Sequence, residues 1–305
     1  MNRTCFYGRD TMFGHRSDGK LVRKLDPIVA FTPRLMPMRC DAQVFLNTKV
    51  PYDVLARYIV EQGYAGHKIS FMELVIAAYV RTVAETPVLN RFVANKRIYA
   101  RNNLSVAFTI LQDTGTEEIA ETTVKCYFDP HDTIYDIADR INAAIDENRK
   151  LEVNNTVDKI AKVALNPFFA SIIMGLANFT DKHGIMPKAV IKLSPFHNSM
   201  FITNVASIGL PAVNHHIYNF GTVSTFISIG CPERTETIED GKTVRHRMLP
   251  LGVVVDERVA AGAEYAKMLS GMNKYLKNPS LLEQKPEKVI FDEGHEYTVP
   301  VEKKK

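Results

Sequence analysis

Apolar residues recur along this chain with two periods, and the changes of period mark out its elements. Residues 42–47 (AQVFLN) read as a strand, and Val50-Pro51 opens a helix to about Gln62 with Val54, Leu55, Tyr58 and Ile59 on one face. Gly63 and Gly66 stop it. Ser70 with Glu73 three residues later is a capping-box pattern. The helix it opens, Phe71–Glu85, is apolar nearly all round (Met72, Leu74, Val75, Ile76, Ala77, Ala78, Val80), which predicts deep burial. Leu104–Leu111 alternates Val106, Phe108 and Ile110 against Ser105, Ala107 and Thr109, the period of a half-buried strand. Glu118–Phe128 alternates more loosely, with a turn at Asp113-Thr114-Gly115 between the two runs. Thr133–Asn148 carries an apolar stripe of Ile134, Ile137, Ala138, Ile141 and Ile145, with Thr133 as cap and Asp136 in the first turn.

Residues 149–196 predict one or two helices within Val157–Phe179, with Pro167 at a kink or boundary, and then a loop containing Gly184 and Pro187. The longest mostly apolar run, Val163–Ala177, is interrupted by Asn166-Pro167. It is too short and broken to span a bilayer and reads as a buried helix. Thr222–Gly230 alternates as a strand, and Glu239-Asp240-Gly241-Lys242 is a hairpin turn signal. Leu249–Pro279 then reads as a buried strand (Gly252–Val255), a sharp turn (Asp256–Gly262) and an amphipathic helix. Tyr265, Leu269, Met272 and Leu276 share a face of that helix, and Asn278-Pro279 ends it. The division expected is a basic N-terminal arm (1–26), one domain (27–279) and a charged tail (280–305).

The bulk numbers narrow the function classes. A chain of 305 residues with 46% hydrophobic and 24% charged residues is ordinary for a globular protein with a sizeable core. A formal charge of +4, spread along the chain, gives no reason to expect nucleic acid. Cys5, Cys40, Cys126 and Cys231 have no metal or disulfide spacing and fit a reducing compartment. The first ten residues hold no apolar h-region, so the expectation is a cytoplasmic protein without a membrane partner. No His/Cys/Asp/Glu spacing suggests a metal, and His67, His131, His183 and His197 read as isolated surface or loop residues.

The stretch Asp256-Glu257-Arg258-Val259-Ala260-Ala261-Gly262-Ala263, followed by a helix ending in Asn278-Pro279, resembles the signature of 2-oxo acid dehydrogenase acyltransferase catalytic domains, Asp-His-Arg-x-x-Asp-Gly-Ala. It is similar, more distantly, to chloramphenicol acetyltransferase. Three further segments match the same family. These are Met36-Pro37, the run GHKISFMELVIAAYVRTVAETPVLNRFV from Gly66, and MFITNVASIGL from Met200, which sets Thr203 on the family's catalytic hydroxyl. The resemblance covers about Asp26 to Pro279. It implies an α/β fold, a two-layer sandwich of the chloramphenicol acetyltransferase type with a mixed sheet covered by helices. It also implies a homotrimer, with coenzyme A entering as acyl-CoA substrate and no metal. The expectation is a chain without the lipoyl-carrying domain that members of dehydrogenase complexes carry.

In the family a His takes the proton from the attacking group, and a Ser or Thr of the facing subunit stabilises the tetrahedral oxyanion. Here Glu257 stands in the place of the His and Ala261 in that of the signature Asp. Two readings follow. One is an acyltransferase with altered catalytic residues, Glu257 as base and Thr203 as oxyanion donor. The other is an inactive scaffold or binding protein in which Glu257 only pairs with an arginine. Asp256, Arg258 and Gly262 are expected to hold the turn. His215-His216-Ile217-Tyr218-Asn219-Phe220-Gly221 has the His-His-x-x-x-x-Gly spacing of the wider acyltransferase signature, with Phe220 where an Asp belongs. A strand follows it and Leu249–Pro279 fills the signature's place, so the match reads as coincidental. His215 and His216 remain candidates to line the same cleft and replace the missing base.

Overall fold

The computed structural model describes residues 16–113, 119–150, 166–239 and 242–297. In chain order the elements are β1 (Gly19–Leu21), α1 (Pro27–Leu35), β2 (Gln43–Pro51), α2 (Tyr52–Tyr64), α3 (Phe71–Glu85), β3 (Arg91–Ala94), β4 (Arg97–Arg101), β5 (Leu104–Asp113), β6 (Ile119–Phe128) and α4 (Ile134–Lys150). They continue with α5 (Pro167–His183), α6 (Lys188–Leu193), β7 (Met200–Asn204), β8 (Thr225–Ile229), β9 (Glu233–Glu239), β10 (Lys242–Asp256) and α7 (Gly262–Lys277).

The main sheet runs β2-β10-β8-β7-β5-β6, with β9 on the first half of β10. It is mixed: β5–β7 and β7–β8 are parallel, and the remaining pairs are antiparallel. Alternation along β10 sends Leu249, Leu251, Val253 and Val255 into the main core, while Val254 faces the other side. Helices α2, α3, α4 and α7 cover the core face, which gives the expected α/β arrangement of a mixed sheet and a helical layer. A smaller cluster of Ile217, Val223, Phe226 and Val254, with Phe201 against it, lies on the opposite face under the segment 205–224. Gly252 marks how closely that segment crosses the sheet. A Cβ there would stand 2.4 Å from the Val213 carbonyl oxygen.

Local rules account for the helices. Ser70 and Glu73 form the capping box of α3, with the Ser70 amide donating to Glu73 Oε2 at 2.7 Å, and α3 is buried from Glu73 to Ala84. At α4, the Thr133 amide donates to Asp136 Oδ2 (2.9 Å) and the Asp136 amide to Thr133 Oγ1 (3.3 Å). The Thr133 hydroxyl, donating to Asp136 Oδ2 at 2.7 Å, and the Thr133 amide hold the Asp136 carboxyl below its ordinary value. Tyr265, Met272 and Leu276 of α7 are buried as their spacing requires, and the helix ends at Lys277.

Several expectations are corrected. Of the kink or boundary expected at Pro167 the structure has the boundary: Pro167 begins α5, with the Asn166 side chain as cap. The part of the run 163–177 assigned to that helix is exposed, not buried: Phe168, Phe169, Ile172, Ile173, Met174 and Leu176 all face outward. The loop after it contains a further helix, α6. A three-stranded sheet, β1-β4-β3, was not foreseen; its β3–β4 turn places Asn95 and Lys96 at positive φ (46° and 60°). Of the N-terminal arm, residues 19–21 join that sheet. Of the tail, Asp292 takes two hydrogen bonds from Arg91 (2.6 and 2.7 Å), and the Ile290 amide donates to the Ala84 carbonyl. The turns expected at 113–115 and 239–242 fall largely outside the described residues.

Candidate active site

β10 ends at the signature turn, and the turn is built around one carboxylate. Asp256 is wholly buried. Arg258 clasps it with Nε at 2.7 Å and Nη2 at 2.6 Å, and the Arg258 amide adds a bond of 3.2 Å. Arg39 approaches from the segment before β2, with Nε at 3.3 Å from Asp256 Oδ2. Both guanidiniums are buried and continue outward: Arg258 donates to the carbonyls of Met36 and Pro37, Arg39 to those of Tyr218, Gly221 and Val93. Burial pushes the Arg39 guanidinium below its ordinary value, and Asp256 opposes that shift. Removing one partner of such a buried pair costs ~3–5 kcal/mol, because the other charge is left uncompensated. The Tyr265 hydroxyl donates to the Asp256 carbonyl at 2.6 Å and ties α7 to the same point.

Residue 257 is carried outward by this lock. Its amide donates to the Ala42 carbonyl (2.9 Å), and its side chain is exposed with no ion pair among the described residues. The arginine pairing considered for Glu257 is therefore not made; Arg258 serves Asp256 instead. Ala261 sits at the N-cap of α7 and supplies no side-chain bond. Gly262 has open space where a Cβ would stand and no positive φ, so the turn does not draw on glycine's freedom.

The 215–221 loop comes to the same end of the sheet. The Asn219 side chain accepts from the amides of Arg39 (2.8 Å) and Cys40 (3.1 Å), and Gln43, which pairs with Asp256 in the ladder, donates to the Ile217 carbonyl (3.3 Å). Gly221 is at φ 82°, with the Phe196 carbonyl 2.1 Å from where a Cβ would be, so no other residue fits. His215 is half-buried and stacks on Phe226 (4.3 Å, 11°), which stacks on Phe201 (5.2 Å, 14°). Its Nδ1 lies 2.7 Å from the His216 carbonyl; a carbonyl only accepts, so Nδ1 holds the proton and Nε2 keeps its lone pair. His216 is exposed.

Thr203 is elsewhere. It lies on β7 opposite Ser228, which is opposite Gly252. Strand rise and spacing put it roughly 20 Å from residue 257 of the same chain. One chain thus unites Asp256, Arg258, Glu257 and the His215–Gly221 loop, and leaves Thr203 apart from them. Arg39, the second clasp on Asp256, is the residue that sequence reasoning missed; nothing in its surroundings distinguishes it from the other arginines.

A second buried polar cluster joins the N-terminal segment to α5. Arg16 is bidentate to Asp18 (2.8 and 2.9 Å) and reaches Asp181 Oδ1 at 2.7 Å. His197, expected at the surface, is 3% exposed, with Nε2 3.2 Å from Asp181 Oδ1 and Nδ1 2.7 Å from Ser194 Oγ. Burial alone would raise the Asp181 carboxyl, but His197 and Arg16 more than reverse this and hold it at about 2.

Residues 190–283, which include β7, β8, β10, the signature turn and α7, match the family described as 2-oxoacid dehydrogenases acyltransferase (catalytic domain). Solved structures extend the likeness over most of the chain. The cubic core of the pyruvate dehydrogenase multienzyme complex superposes with a TM-score of 0.55 at 14% identity, over 86% of this chain and 93% of that one. The probable dihydrolipoamide acetyltransferase of Listeria monocytogenes gives 0.52 at 14%, over 85% and 95%. The fold is that of the 2-oxoacid dehydrogenase acyltransferase cores. The truncated catalytic core from Thermoplasma acidophilum gives 0.51 at 11% identity, over 85% and 99% of the two chains. No curated protein matches the sequence. The resemblance read from the sequence therefore holds at the level of the matched region and of the fold.

Proposed function

We propose that this protein is a relative of the coenzyme A-dependent acyltransferase domains, moving an acyl group between coenzyme A and an acceptor thiol or hydroxyl at a cleft between copies in a homotrimer. The observation that carries the reading is the retained lock, in which Asp256 between Arg258 and Arg39 presents residue 257 outward beside the His215–Gly221 loop. The separation of Thr203 from that turn supports the assembly. A hydroxyl ~20 Å away can act at residue 257 only from another copy.

In this reading Thr203 of a neighbouring copy donates a hydrogen bond to the oxyanion of the tetrahedral intermediate. Glu257 accepts the proton of the attacking group. A carboxylate is ordinarily a weak base for a thiol, so the reading requires the neighbouring copy and the acyl-CoA to close water out around Glu257. His215 is the second candidate, because Nδ1–H donates to the His216 carbonyl and leaves Nε2 free to accept a proton. The competing reading, a trimeric binding protein that has lost the chemistry, draws on Ala261 and on the exposure of Glu257.

Thiol release from acyl-CoAs, measured with candidate acceptors, separates the two. Glu257→Gln is expected to lower turnover by about 10²–10⁴-fold while leaving the melting temperature in place. If Glu257→Gln and His215→Ala both turn over like the unaltered protein, the base assignment falls. A well-formed trimer with no turnover on any acyl-CoA favours the scaffold.

A further inference from the structure

Helix α5 departs from the pattern of α2, α3, α4 and α7, each of which buries side chains in the core. Phe168, Phe169, Ile172, Leu176 and Phe179 are 50–68% exposed. At 100° per residue these five fall within an arc of about 100°; Ile173 lies just beyond it, and Met174, 44% exposed, lies on the other side of the helix. Leu193 of α6 is 82% exposed as well. Together these side chains leave on the order of 500 Å² of apolar surface open, at the upper end of what soluble monomers expose.

The charges around the stripe have one sign. Residues 166–193 contain Lys182, Lys188 and Lys192 and one acid, Asp181. The lysines are exposed; Asp181 is 8% exposed and is consumed by Arg16 and His197. No helix among the described residues is long and apolar enough to cross a membrane. An apolar stripe of this width with cations at its border is instead the form of a helix that lies in the plane of a bilayer surface. A second copy seated face to face on the stripe about a two-fold axis would meet the same lysines with no acidic group on the face to answer them.

From this we infer that α5 and α6 dock the protein on an anionic lipid bilayer, the stripe entering the headgroup–acyl boundary and the lysines meeting lipid phosphates. The Arg16–Asp181 bridge fixes the opposite side of α5 to the body, so the stripe is held ready without any rearrangement of the fold. This inference stands independently of the acyl-transfer reading.

The test is co-sedimentation of the whole protein with phosphatidylcholine vesicles, with and without about 30 mol% phosphatidylglycerol. The unaltered protein is expected to sediment with the anionic vesicles and to be released as salt rises. Ile172→Ser with Leu176→Ser is expected to reduce the bound fraction at least ten-fold with an unchanged melting temperature. Lys188→Glu with Lys192→Glu is expected to weaken binding by about five-fold per lysine. The inference is overturned if the unaltered protein ignores anionic vesicles, or if the Ser pair binds as well as the unaltered chain. It is also overturned if the Ser pair changes only the lipid-free sedimentation coefficient, which would assign the stripe to another copy of the chain.

Discussion

At the signature turn, one carboxylate and two guanidiniums lie inside, and their donors find acceptors within the chain. On α5 the arrangement is turned round: its aromatic and aliphatic side chains lie outside, and its single carboxylate is the part that is buried. In the first region the buried carboxylate is clasped by two guanidiniums of the same chain, whose other donors meet backbone carbonyls, and Glu257 is the charge left facing outward. The second has its polar anchor matched and its apolar surface unmatched. What the contrast teaches is that burial alone does not sort function from scaffold here. The buried charges of the turn hold a shape, whereas the exposed apolar side chains of α5 call for something outside the chain to cover them.

That contrast can be broken in stages. The largest effect is expected from Asp256→Ala, which strands Arg39 and Arg258 in the interior. Chemical denaturation should show a loss of about 3–5 kcal/mol, and a loss below 1 kcal/mol would mean that the lock is not structural. Next is Asp181→Asn. The carboxyl is held at about 2 against an ordinary 3.8, so its contribution is present above pH 4 and disappears as pH falls toward 2. The shift is equivalent to about 2 kcal/mol, and the Asn variant should lose that amount at neutral pH together with the acid sensitivity in this window. Ala261→Asp should act in the opposite direction, restoring an N-cap to α7 and adding about 1 kcal/mol without a change in denaturant m-value. The smallest effect is expected from Leu176→Ser. In the absence of lipid its stability should stay within about 0.5 kcal/mol of the unaltered chain, as for any exposed position.

What could be read from the sequence follows the range of the interactions. The caps of α3 and α4 were legible because Ser70 and Glu73, and Thr133 and Asp136, are close neighbours in the chain. The stripe of α7 was legible because it buries one face against the core; β5 was legible as a strand, but Ser105 and Ala107 are buried as fully as Val106 and Phe108, so its second face is covered too and the half-buried reading missed this. The signature turn stood out because the residues of its frame are adjacent in sequence. Arg39 was hidden because its partner, Asp256, is distant in the chain. His197 was misjudged for the same reason, since only the arrival of Asp181 makes a buried site for it. Strands as short as β1 and β3 carry too few residues for a period to show. The burial of α5 was misjudged because an apolar run looks the same whether it faces a core or faces outward. The three-dimensional neighbours decide, and α5 has few.

The order of strands in the sheet also bears on how the protein is made. β2 has β10 as its one neighbour in the sheet, and Pro51 is aligned with Met248. A growing chain therefore carries β2, α2 and α3 out of the ribosome long before the strand that unites them exists. Closing so distant a pairing is slow, and the wait exposes an apolar α3 to other nascent chains. A truncation that removes β10, from Lys242 onward, would leave β2 with no strand to pair with in the main sheet.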